Sequence, residues 1–115
     1  MPAFVFAMLL ASQEPADALL ASGDMLPIAS EKLRECIVYH AVRIDDGTTP
    51  VDDLVAAARV HCATKLSIFR YILRGFVKAK NASADADMIT EGSELSVFRQ
   101  ASTQISSLVE AGRKN

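Results

Sequence analysis

Apolar residues recur along this chain at steps of three and four, the spacing of one face of an α-helix and not the alternation of a strand. The first clear stripe is Leu33, Cys36, Ile37, His40, Ala41 and Ile44. Ser30 is placed to cap this helix, with Glu31 in the first turn, where the positive helix end favours an acid. Asp45-Asp46-Gly47 ends it, and Gly47 suits the left-handed position just past a helix. A second stripe follows: Val51, Leu54, Val55, Ala58 and Cys62. Thr49 is its expected cap and Pro50 its first helical residue. Two helices joined by a short acidic turn make an αα-hairpin.

Charge then changes the picture. The stretch from Lys65 to Lys80 holds five positive residues and no negative one. Leu66, Phe69, Ile72, Leu73, Phe76 and Val77 fill one broad face of a helix, and Arg70, Arg74 and Lys78 line the other. Such a helix is either the main core stripe of a small domain or a surface that docks an anionic membrane or a protein partner. A single domain of 115 residues needs that apolar face for its core, so the first reading leads. Under the second, Lys65, Arg70, Arg74 and Lys78 are the binding residues. The small and acidic residues from Asn81 to Asp87 read as a connector, and Glu91-Gly92-Ser93-Glu94 leads into a last helix. Leu95, Phe98, Ser102, Ile105, Leu108 and Val109 form its inward side, and Arg113 and Lys114 suit its C-terminus. The expected fold is all-α: a small helical bundle built on the hairpin. Its second helix continues or bends into the basic helix, and the last helix packs across both.

The N-terminal run Ala3-Phe4-Val5-Phe6-Ala7-Met8-Leu9-Leu10-Ala11 is apolar and uncharged, and polar residues and Ala16-Asp17-Ala18 follow it. It is too short to span a bilayer and matches the apolar core and small-residue site of a signal peptide. The basic residues that normally open such a peptide are missing, since no Lys or Arg precedes Lys32. Residues 1–18 are therefore read as a signal peptide or N-terminal apolar segment, and 19–115 as one helical domain. Export implies a periplasmic or secreted protein; an internal core helix would imply a cytoplasmic one.

Both cysteines lie on the inward stripes of the hairpin. Cys36 is about eight residues before the turn and Cys62 about twelve after it, an axial offset of roughly 5–6 Å that helix stagger absorbs. The pair can reach disulfide range. In an oxidising compartment they would be joined; in the cytosol they would be two buried thiols. The segment Leu33-Arg34-Glu35-Cys36-Ile37, the turn Asp45-Asp46-Gly47 and the Ala/Val-rich helix ending at Cys62 resemble a pattern in small exported bacterial helical proteins of unknown function. That resemblance covers about a quarter of the chain and implies export, a helical fold and a helix-to-helix disulfide, with no activity attached.

Other chemistry is sparse. Cys36 and His40 share a helix face, and His61 adjoins Cys62, so a Cys2His2 metal set is conceivable. Neighbouring His61 and Cys62 point about 100° apart on a helix, which sets this reading aside. The sequence has no nucleophile elbow and no Gly-rich phosphate loop. The acid pairs Asp45-Asp46 and Asp52-Asp53 flank a turn, where caps and solvated acids are expected. No enzyme activity, cofactor or metal is expected. A net charge of −2 argues against a nucleic-acid partner. What remains is a small exported structural or interaction protein, with membrane-surface or partner binding through Lys65 to Lys80 as the alternative.

Overall fold

The computed structural model describes residues 20–81 and 85–114. The apolar N-terminal run with its signal-peptide reading lies outside them, as do residues 82–84 of the connector. Residues 20–22 are helical, and after the turn at Gly23 the described residues form four further helices: α1 Met25–Ile44, α2 Val51–His61, α3 Ala63–Lys80 and α4 Ala86–Arg113. Helix α1 is central and packs against the other three, while α4 lies across α2 and α3 as well. This is the all-α bundle that the periodicity predicts.

The core is built from the stripes. Leu33, Ile37 and Ala41 of α1 are fully buried, as are Leu54 and Ala58 of α2. Leu66, Phe69, Ile72, Leu73 and Val77 close the core from α3, and Val97, Ala101, Ile105 and Val109 from α4. Alanine stands at three fully buried positions, 41, 58 and 101, where a small side chain leaves room for neighbouring helices to pack closely.

Several boundaries differ from the sequence reading, each for a local reason. Helix α1 begins at Met25, not after Ser30. Pro27 is its third residue, and a proline costs nothing there because first-turn N–H groups have no intrahelical acceptor. Gly23, at φ +76°, turns the chain into α1, and a Cβ there would lie 2.7 Å from Cε2 of Phe76. Helix α4 also starts early, at Ala86, because the Asp85 side chain accepts from the Met88 N–H at 3.1 Å and caps it. Glu91 to Glu94 are thus inside the helix. The inward stripe of α4 is Thr90, Glu94, Val97, Ala101, Ile105 and Val109, whereas Leu95 and Leu108 are exposed.

Between α2 and α3 there is no linker. The chain bends at Cys62, whose N–H donates to the Arg59 carbonyl three residues back, while the Leu66 N–H restarts the ladder on the Cys62 carbonyl. Neither proline nor glycine stands at this bend. It coincides with the residue tethered to α1.

Candidate functional site

The two cysteines meet. Cys36 on α1 and Cys62 at the α2–α3 bend form a disulfide with a Cα–Cα distance of 6.0 Å, closing a loop with a sequence separation of 26. In the chain-entropy picture a loop of that size stabilises the fold by about 3–4 kcal/mol. Cys62 is buried and Cys36 half-buried. One turn after Cys36, the His40 ring stacks on that of His61, with centroids 4.8 Å apart and planes 12° from parallel. One ligand-type atom each from Cys36, His40 and Cys62 falls within 4.8 Å of the others. With the sulfurs bonded to each other, neither is a thiolate, so this grouping has no metal-binding form in the oxidised protein. The disulfide points to a non-reducing environment.

The acidic turn is organised by its own carboxylates. Oδ1 of Asp46 accepts from the N–H groups of Thr48 at 2.9 Å and Thr49 at 2.8 Å, and from both threonine hydroxyls. Donation from the Thr48 N–H and the Thr49 hydroxyl holds the Asp46 carboxyl well below the ordinary carboxylate range. Asp45 accepts from the Gly47 N–H at 3.0 Å and from Arg113 Nη2 at 2.6 Å, and the arginine lowers its pKa most. Arg113 also donates to the Thr49 carbonyl at 2.7 Å, so the end of α4 clamps the hairpin turn. Thr49 is therefore not the cap of α2: its hydroxyl serves Asp46, and Pro50 occupies the cap position without a side-chain bond. Gly47 has φ +90°, as its left-handed role requires.

The basic helix does two kinds of work. Its apolar face lies in the core, with Phe69 and Leu66 buried and Phe76 half-buried. Of the cations assigned to its outer face, Arg70 makes a bidentate pair with Glu94, Nε to Oε2 at 3.0 Å and Nη2 to Oε1 at 2.7 Å. That pairing holds the guanidinium pKa above its ordinary value. Arg59 Nη2 is 3.8 Å from the same Oε1, and its guanidinium lies over the Phe98 ring at 4.7 Å. Arg74 pairs with Asp87 at 3.0 Å, both well exposed, a contact of small energetic weight. Lys65 and Lys78 are exposed and carry no ion pair among the described residues. Ser67, Arg70, Tyr71, Arg74, Gly75 and Lys78 line an open groove of about 510 Å³ beside Leu20.

Sequence reasoning missed Glu94 as a structural residue because it was placed ahead of α4. Its four-residue spacing from Thr90, and the Val97, Ala101 and Ile105 series beyond it, carried the signal. No described helix is long and apolar enough to cross a membrane. No family model, curated protein or solved structure matches this chain.

Proposed function

We propose that this chain is a small exported protein of structural or interaction type, periplasmic or secreted, that performs no catalysis. The observation that carries the reading is the Cys36–Cys62 disulfide, which joins the hairpin across its core face. Cytosolic thiol buffers hold ordinary cysteine pairs reduced, whereas small exported domains use such bridges for stability. The histidines stack on each other, and Asp45 and Asp46 hold the turn. The interaction face is the outer side of α3, where Lys65, Tyr71 and Lys78 stand exposed. A protein partner with acidic side chains fits it better than a bilayer, because the apolar face a bilayer would take up is packed in the core.

The mass of the protein recovered from its native cells tests this. Export predicts loss of the N-terminal apolar segment and a mass lighter by two hydrogens, with no thiol alkylated in denaturant without reductant. A full-length chain with two alkylated thiols would overturn it.

A further inference from the structure

The two histidines and two cysteines converge on one spot at the α1–α2–α3 junction, and the proposed function leaves the imidazoles without a task. We infer that reduction turns this spot into a divalent-metal site, with Cys36 and Cys62 as thiolate ligands, His40 as the imidazole ligand and a fourth position facing solvent. Zinc is the metal class that a two-sulfur, one-nitrogen set suits.

Geometry supports this. Cys36 and His40 are one turn apart on the same side of α1, so both side chains lean in one direction. Cys62 approaches from the bend opposite, and one ligand-type atom of each residue already lies within 4.8 Å of the other two. A tetrahedral ion with bonds of about 2.0–2.3 Å holds its ligands roughly 3.3–3.8 Å apart. Reaching that arrangement takes a lengthening between the sulfurs and a small approach of the imidazole, both within side-chain rotation. Leu33, Ile37, Leu54 and Ala58 are completely buried, so core packing holds α1 and α2 together in addition to the disulfide. The half-exposed Cys36 and His40 leave the spot open to solvent.

The chemistry balances with a dithiol as reductant. Its thiolate attacks Cys36 Sγ and the S–S bond breaks, with Cys62 leaving as thiolate. The second dithiol sulfur then displaces Cys36 as thiolate, so the reductant departs as a cyclic disulfide and the electron pair it gave up resides on the two cysteine sulfurs. The metal ion takes both sulfurs, and the two thiol protons go to solvent. A small-molecule disulfide as oxidant reverses the sequence: the Cys36–Cys62 bond re-forms, the oxidant leaves as its dithiol and the ion is released. The inference is independent of the export reading, since both redox forms of the purified chain can be made.

The test is titration of the full chain, reduced anaerobically with a phosphine, with cobalt(II) and then zinc. One equivalent of cobalt is expected to give thiolate-to-metal charge-transfer and tetrahedral ligand-field absorption, and zinc to displace it. His40→Ala is expected to weaken zinc binding about tenfold or more, the scale on which altered ligand environments act. Cys36→Ser should abolish the charge-transfer band, and the oxidised protein should give none. Far-UV circular dichroism of each form reports folding alongside. If the reduced chain loses helix, added zinc is expected to restore it. Absence of one-equivalent binding by the reduced chain would overturn the inference, as would an unchanged affinity in His40→Ala or equal binding by the oxidised form.

Discussion

Replacing Arg70 by alanine isolates the buried carboxylate of Glu94. The Glu94 side chain is 8% exposed, and its main partner Arg70 is 37% exposed. Removing one member of a fully buried ion pair costs roughly 3–5 kcal/mol, because an uncompensated charge stays behind. Two features lower that figure here: Arg59 remains 3.8 Å away, and the space Arg70 vacates opens to water. The expected loss for Arg70→Ala is about 2–3 kcal/mol, which corresponds to a melting point lower by roughly 10 °C or more. Glu94→Leu acts differently. It removes the buried charge, lets Arg70 turn to solvent, and should cost about 1 kcal/mol or less. The double variant Arg70→Ala/Glu94→Leu should then be more stable than Arg70→Ala alone by about 1–2 kcal/mol. Urea unfolding of the four proteins, followed by far-UV circular dichroism, measures all three differences. An Arg70→Ala variant within about 0.5 kcal/mol of wild type would refute the reasoning. So would a double variant no more stable than Arg70→Ala. The same pair governs how α3 binding is probed. Charge reversal at Arg70 would set an acid against Glu94 and unfold the bundle, so Lys65 and Lys78 are the positions for reversal.

Two further predictions concern the turn. Gly47→Val should lower stability by about 1 kcal/mol or more in a thermal melt, through backbone strain at φ +90° alone, since a Cβ there meets nothing within 4 Å. Acid should weaken the fold through Asp46, whose folded pKa is lowered from 3.8. Below the unfolded value the denatured chain takes up a proton that the folded carboxylate refuses, so stability is full above that pH and falls as pH drops. Asp46→Asn keeps an acceptor oxygen without the titration, and unfolding midpoints measured across the acid range should fall less steeply for it than for wild type.

Local sequence determined the helices, because the apolar spacing of three and four is a property of neighbours on one chain. The hairpin stripes through Leu33, Ile37, Leu54 and Ala58, and the apolar face of α3, stand where that spacing placed them. The left-handed Gly47 was likewise legible, since few other residues tolerate that backbone conformation. The cysteine pairing was readable as an option, two sulfurs on facing stripes, and the fold made it a bond. Partners distant in the chain were beyond such reading. Arg113 reaching Asp45, Arg34 reaching Gln104 and Arg70 reaching Glu94 each depend on how helices stack, and one amino acid has no local signal for which distant one it will meet. On α4 the expected inward side holds at Ile105 and Val109, and in part at Phe98, but not at Leu95 and Leu108. Leu95 looked inward by hydrophobicity alone, but Arg59 and Arg70 project from α2 and α3 toward Glu94, and burying Glu94 against them exposed Leu95. Tertiary charge placement outweighed one leucine, because an unpaired arginine or carboxylate inside the bundle costs more than an apolar side chain left in water.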